Sequence, residues 1–430
     1  MTILVAHNRY RVRGGEDGVF ETECRLLEEA GHRVIRYEKS NCDIPDRGGR
    51  LGLALRTIWN PRTVREIRAL IRREKPDVVH CHNTFPLISP SIYWAASREG
   101  VPVVQTLHNY RLACLNGYLF RDGKVCEACL GRTPWRGVCR RCYRDSRGQS
   151  AVAAAMLLIH RLLGTYRRKV TRYIALTDFA KAKFVAAGLP ARKISVKPNA
   201  FAAGGGERAG LLATVVSPGS RADDGIRVVY VGRLSLEKGV DVLLRAWALL
   251  CKEGRDEPTA RPSQAPGGPG AAEPRHGPAL TCVIVGDGPE RAALEGLAGD
   301  DSSVRFLGAL PRAAALAELS SASLLVLPSL CYEQFAITPL EAMALGVPVL
   351  ASDVARAGTI LEDGVSGRFF RAGDPTALAA ALRELLADPA ALRRLGAAAR
   401  AAFESSDCEP SRNLARLLDV YASARSAHDD

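Results

Sequence analysis

Residues 333–346 read EQFAITPLEAMALG, and VPVLA follows at 347–351. This is the pattern of a loop, a helix and a buried strand. Thr338 before Pro339 predicts the helix start, with Thr at the N-cap and Pro at N1, where its missing N–H costs nothing. Glu333 then falls in the loop before the helix and Glu341 inside its first turns. Two carboxylates reaching one cleft can each accept paired hydrogen bonds from vicinal hydroxyls. The backbone N–H groups of Phe335, Ala336 and Ile337 face whatever anion lies at the helix start. Read as a solvated helix residue, Glu341 leaves that surrounding pattern unexplained.

Outward from this stretch, short β-branched runs alternate with amphipathic ones. Before it come Ile3–Ala6, Arg33–Tyr37, Asp77–Cys81, Val101–Leu107, Tyr173–Leu176 and Ile194–Val196, with helical patterns such as Gly18–Ala30 and Pro61–Arg73 between them. Arg227–Val231, Thr281–Val285, Val304–Phe306, Ser323–Leu327 and Val347–Ala351 repeat the theme. The fold class is α/β, as two Rossmann-like, doubly wound parallel sheets. A length of 430 residues suits about two domains at roughly 150 residues each. We place the first at 1–202, a Gly- and Ser-rich linker at 203–225 and the second at 226–407. A Pro-rich stretch at 252–278 reads as a disordered surface insertion. A last helix at 408–430 is expected to pack back on the first domain.

Three loops follow strands and carry the chemistry of phosphate binding. Gly14 and Gly15 let backbone N–H groups approach an anion at a helix N-terminus, although a tight turn explains paired glycines as well. Arg233 and Lys238, in GRLSLEKG, suit a diphosphate: the Arg forks onto two oxygens and the Lys acts as a point charge. Gly286, in VGDGPE, ends the next strand in the same manner. In doubly wound sheets ligands bind at such carboxyl ends.

The charge is uneven. Residues 1–205 hold 36 Lys+Arg against 17 Asp+Glu and the remainder 23 against 29. The basic half predicts an anionic partner, while the scarcity of Lys among its cations also fits coding bias. The apolar run Ala151–Ile159 followed by Arg161, Arg167, Arg168, Lys169 and Arg172 predicts a helix lying on an anionic membrane surface. Packing of that run in the core is the plainer reading. No run reaches the ~18 apolar residues of a spanning helix. Met1–Ala6 has no basic flank, so a secretory leader is not expected and a cytoplasmic, reducing compartment is. His80 and His82, alternating on one strand, read as buried structural histidines or as acceptor contacts.

Cys126, Cys129, Cys139 and Cys142 form two Cys-x-x-Cys pairs, with Cys114 upstream. The spacing admits a structural zinc, free thiols or a redox pair. In arginine-rich surroundings a nucleic-acid module is the first reading of such a knuckle, but this one interrupts a strand–helix series.

The set GRLSLEKG, VGDGPE, FLG and EQFAITPLEAMALGVPV resembles the donor-binding domain of the family 4 retaining glycosyltransferases, which have the GT-B architecture of two such domains facing a cleft. The Gly14-Gly15 loop, Asp77–His82 and Thr106–Asn109 extend the resemblance over nearly the whole chain. It implies transfer of a hexose or N-acetylhexosamine from a nucleotide diphosphate sugar to a glycan or lipid-linked acceptor, as in polysaccharide or glycolipid synthesis. Arg233 and Lys238 would grip the diphosphate, Glu341 the ribose and Glu333 the transferred sugar. Phe335, Ala336 and Ile337 would line sugar and phosphates, Gly15 would close over the phosphates, and His108 would stand near the reacting carbon. Gln334 and Ala336 replace residues that are often Gly in relatives, and Asn109 replaces a frequent Asp. A subset of the family has an insert like residues 111–148, with cysteines matching Cys114, Cys126, Cys129 and Cys142; Cys139 is then a spare or alternative ligand. The chain contains no Asp-x-Asp, so no catalytic metal cofactor is expected, and no nucleic-acid partner. Two rivals remain, a hydrolase or epimerase of the same architecture and a zinc-dependent nucleic-acid-binding protein. The oligomeric state is not legible.

Overall fold

The computed structural model describes residues 1–44, 49–201, 225–256 and 280–429, and the chain divides into two units. The first comprises Met1–Ala202, Tyr332–Ile337 and Ser405–Asp430; the second comprises Ala203–Cys331 and Thr338–Glu404. The linker 203–225 lies outside the described residues save Gly225. Of the insertion 252–278, residues 252–256 continue the helix Val240–Asp256, which corrects its start, and the rest lies outside the described residues.

The first unit contains β1 (Thr2–Arg9), β2 (Arg33–Ser40), β3 (Val78–Asn83), β4 (Val103–Leu107), a small hairpin of β5 (Phe120–Arg121) and β6 (Lys124–Val125), β7 (Arg172–Ala175) and β8 (Ile194–Val196). Six of them make one parallel sheet in the order β2-β1-β3-β4-β7-β8. Strands of such a sheet are covered on both faces, so they read as unbroken apolar runs. Side chains nevertheless alternate. Leu4 and Ala6 enter one core with Val79, Cys81 and Val103. Ile3 and Val5 enter the other with Phe20, Cys24 and Leu27 of the helix Gly15–Glu29. That second core is completed by Leu417, Val420, Tyr421 and Ala424 of the C-terminal helix Pro410–Asp429.

The second unit holds β9 (Ile226–Val231), β10 (Leu280–Val285), β11 (Val304–Gly308), β12 (Leu324–Leu327), β13 (Val349–Ser352) and β14 (Arg368–Phe370). They too are parallel, in the order β11-β10-β9-β12-β13-β14. The order reverses between β1 and β3 in the first unit and between β9 and β12 in the second. Loops after those strands diverge there and leave a crevice.

Two local expectations are corrected. The helix of the opening stretch is Ile337–Leu345, so Thr338 is inside it and not its N-cap. Its hydroxyl instead donates to Val231 O at 3.2 Å, tying the helix start to the end of β9, and Pro339 still lies in the first turn, where no N–H is needed. The helix Arg147–Leu162 turns Ala153, Ala154, Met156 and Leu157 into the core, so its apolar face is not available to lie on a surface. Its exposed large apolar side chains lie at its end, Ile159 and Leu162, with Leu163 directly after it. No described helix is long and apolar enough to cross a membrane.

Candidate active site

In the second unit, three loops stack at the switch point. Gly232 N–H donates to Val285 O and Leu234 N–H to Asp287 O, both at 3.0 Å. At Gly286 φ is +140°, and a Cβ there would lie 1.8 Å from Gly232 O. Only glycine fits such an approach of backbone to backbone, so Gly286 has a structural duty whatever it binds. Gly239 (φ +64°) closes the turn Leu236–Lys238, and a Cβ on it would come within 2.2 Å of Pro328 O. Thus the loops after β9, β10 and β12 are locked together, with Arg233 and Lys238 on the first of them.

Arg233 is aimed by a residue that sequence reasoning missed. Its Nη2 donates to Glu237 Oε1 at 2.6 Å and its Nε to Ser235 Oγ at 3.2 Å, while Ser235 Oγ donates to the same carboxylate at 2.8 Å. Glu237 is buried, yet the Arg233 and Ser235 bonds outweigh that burial and hold its carboxyl below the ordinary range. The Arg233 side chain itself is half exposed. The i,i+4 spacing of Arg233 and Glu237 was the available signal.

Glu341 is largely buried in the helix Ile337–Leu345, and burial pushes its carboxyl up to about 7 despite Arg312, whose Nη2 lies 3.6 Å away. Arg312 opens the helix after β11 and was not anticipated.

In the first unit, Gly14 is the N-cap of the helix Gly15–Glu29, and its N–H donates to Asp17 Oδ2 at 2.8 Å. Asp17 also meets His7 Nε2 at 2.8 Å. A carboxylate therefore already answers this helix N-terminus. Neither glycine has positive φ; a Cβ on Gly15 would sit 3.7 Å from Ile337 Cγ1. Glu16 accepts from Asn109 Nδ2 at 2.7 Å and from Tyr10 OH at 2.8 Å, and its burial pushes its carboxyl up. This explains Asn109: an Asp there would set two carboxylates against each other.

His108 follows β4 and pairs with His82, Nε2 to Nδ1 at 2.9 Å, rings stacked. Behind them Glu23 and Lys197, both buried, pair at 2.6 Å. His82 Nε2 lies 3.4 Å from the other Glu23 oxygen. Burial, with neighbouring His7, His80 and Lys197, holds His82 and His108 well below the ordinary histidine value. His80 bonds to Tyr421 OH and Thr106 Oγ1, both at 2.8 Å, as a satisfied core residue. Glu23, His80 and His82 form a group of possible metal ligands, but the Lys197 ammonium already neutralises that carboxylate.

The loop 332–337 belongs with the first unit, where Tyr332 packs on Phe179 at 4.7 Å. Phe335 and Ala336 are buried, Ile337 and Glu333 partly so. Gln334 is also buried, and neither amide atom has a hydrogen-bond partner among the described residues.

The insert 111–148 forms the β5–β6 hairpin, a turn and the short helix Trp135–Cys139. Its Leu115, Leu119 and Val138 join the first core. None of the twelve cysteines is in a disulfide. Cys129 and Cys114 are pushed up, first by burial, then by their neighbours: Cys142 and Cys126 act on Cys129, and Cys129 acts on Cys114. Among the described residues no three of these thiols form a group within 4.8 Å. Cys139 is exposed at the helix end.

Residues 3–200 match the family model "Glycosyl transferase 4-like domain", and residues 217–402 match "Glycosyl transferases group 1". D-inositol 3-phosphate glycosyltransferase of Streptomyces coelicolor is 28% identical over 356 residues, 81% of this chain and 69% of that one. Alpha-D-kanosaminyltransferase of Streptomyces kanamyceticus is 30% identical over 56% of this chain and 53% of its own. Among solved structures, Anabaena HepE in complex with UDP-glucose superposes with a TM-score of 0.62 at 16% identity, covering 98% of this chain and all of that one. Two parallel α/β units, each matched by its own model, and the locked glycine loops of the second lead to one conclusion: the chain belongs to the family 4 glycosyltransferases of GT-B architecture.

Proposed function

We propose that the protein is a retaining transferase, moving a hexose or N-acetylhexosamine from a nucleotide diphosphate sugar to a glycan or lipid-linked acceptor. The observation that carries this reading is Arg233, half exposed at the switch point beside Lys238 and oriented by Glu237. A guanidinium held in place beforehand stabilises the charge that develops as the nucleotide leaves, with little reorganisation. Glu341 takes the ribose hydroxyls, Glu333 and the unpartnered Gln334 amide take the sugar, and His108, neutral at pH 7, contacts the sugar near the reacting carbon. Gly14, Gly15, Phe335, Ala336 and Ile337 shape the phosphate and sugar surround. In this reading the acceptor attacks from the leaving-group face and passes its proton to the donor phosphate. No divalent cation takes part, since leaving-group charge is met by Arg233 and Lys238.

We further propose that Cys114, Cys126, Cys129 and Cys142 hold a structural zinc, which would supply a cross-link in the insert and no chemistry. Membrane contact, if made from the cytoplasmic side, would use the exposed Leu162 and Leu163 with Arg167 and Arg168, and not the face of the helix.

The test is a donor screen over UDP-, GDP- and ADP-sugars in the presence of EDTA, with the anomeric configuration of the product read by NMR. Transfer with retention is expected. Inversion, or a strict need for magnesium or manganese, would overturn the mechanism; water as the only acceptor would make the protein a hydrolase.

A further inference from the structure

A cavity of about 530 Å³ opens in the first unit, between the turn after Cys129, the end of the helix Arg147–Leu162 and the turn after the helix Asp178–Ala186. Arg132, Arg161, Arg167, Thr133 and Tyr166 line it, with Leu158 on the apolar wall, and no carboxylate is among its lining residues. It shares no residue with the donor assignments above, so it stands whether or not the transfer reading holds.

Some arginines of this unit are answered by acids: Arg9 by Glu21 and Glu38, Arg68 and Arg72 by Glu99. The three at the cavity are not. Arg161 is partly buried, and both its Nη groups donate to main-chain carbonyls, Leu112 O at 2.7 Å and Arg132 O at 3.2 Å. Burial pulls its guanidinium below the ordinary value, the mark of a cation without a nearby counter-charge. Neither Arg132 nor Arg167 has an ion pair with a described carboxylate. A second, independent observation is Tyr166: it is 4% exposed, and its hydroxyl has no hydrogen-bond partner among the described residues. Buried hydroxyls are almost always paired, so an orphan on a cavity wall points to a missing partner. The volume is that of an ordinary small-ligand site.

We infer that this cavity binds a phosphate ester, with the guanidinium forks of Arg132 and Arg167 on phosphate oxygens, the Tyr166 hydroxyl donating a further bond, and the apolar wall against the carbon skeleton. A doubly charged phosphate matches three cations better than a carboxylate does. The ester can come from a soluble metabolite or from a lipid headgroup. Leu162 and Leu163, exposed directly after Arg161, give the second source an apolar rim.

The full-length protein is titrated calorimetrically with glycerol 1-phosphate, and with glycerol as the neutral control. In parallel it is sedimented with phosphatidylcholine vesicles with and without phosphatidic acid. Binding in either arm is expected and names the source. Arg132→Ala and Arg167→Ala should each weaken it roughly tenfold, the loss of one charge-assisted bond. Tyr166→Phe leaves net charge unchanged and removes only an unpaired hydroxyl, so its melting temperature should hold or rise while phosphate binding falls. No binding in either arm overturns the assignment, and so does binding that Tyr166→Phe and Arg167→Ala leave intact.

Discussion

Glu341 is a carboxyl withdrawn from water and faced by one guanidinium at 3.6 Å, which leaves it titrating at about 7. Hydroxyl donors favour the ionised form, so with Glu341 as the ribose ligand, nucleotide binding lowers that value and expels a proton. Affinity for the nucleotide sugar should therefore rise as pH climbs towards 7 and level off above about 8. Calorimetry at pH 7 in buffers of different ionisation enthalpy should register the released proton, and Glu341→Gln should abolish both the release and the pH dependence. The folded value is raised, so the neutral form is the one folding prefers, and stability declines as pH rises from about 4.5 to about 7, by about 3 kcal/mol. Glu341→Gln should accordingly melt higher at pH 8. Asn109→Asp offers a second test at this scale. The new carboxylate would face Glu16 and cost about 2 kcal/mol at pH 8, less at pH 5 where one of the pair can hold a proton; thermal melts at the two pH values read the difference. Pairs such as Glu16 with Asn109, or Glu23 with Lys197, could not be read along the chain, because 93 and 174 residues separate them. Residue type was legible; partnership was not.

Among elements, the locked loops of the second unit leave no room for a Cβ at Gly239, Gly286 or Gly288. Gly286→Ala would drive a methyl into Gly232 O from a left-handed backbone, and should cost upwards of ~3 kcal/mol, seen as a loss of cooperative unfolding of the second unit in urea. The sequence carried eleven of the fourteen described strands, down to the three-residue β8, because parallel strands covered on both faces tend to read as apolar runs. It did not carry β14, which opens on Arg368 and buries only Phe370, nor the two-residue arms of the β5–β6 hairpin, which are too short for any periodicity. Helix Arg147–Leu162 was misread for a different reason. Amphipathicity says that one face is apolar, not what covers it, and here the covering is the unit's own core. Zinc in the insert would show as about one equivalent by elemental analysis. Cys129→Ser should release it and lower the melting temperature, whereas Cys139→Ser should do neither.

Taken whole, the molecule concentrates its histidines: seven of eight lie in the first unit, and only His276 falls elsewhere in the chain. His80 is fully buried, and burial lowers its value from 6.5 to about 4. The unfolded chain then binds a proton that the folded one refuses. Stability is lost as pH falls from about 6.5 to about 4, by about 3 kcal/mol from this one residue, with His82 and His108 adding in the same direction. Acid should thus unfold the first unit before the second, as separate transitions in a pH-dependent calorimetric scan. A single shared transition that does not move between pH 7 and pH 5 would contradict this.

The C-terminal helix also has a consequence for how the protein is made. Its Leu417, Val420, Tyr421 and Ala424 cover Ile3 and Val5, so a helix translated well after the first half finishes the core that Ile3 and Val5 began. A ribosome adding roughly 5–20 residues per second needs on the order of ten to fifty seconds to get from the end of the first half to that helix. Throughout that time the nascent sheet carries a bare apolar face. A stalled or clipped chain keeps it bare, and becomes a client for chaperones or for aggregation. For the same reason, cutting at the linker does not yield a first domain. A fragment ending near residue 202 would need residues 405–430 supplied, in cis or as a separate peptide, before it could fold.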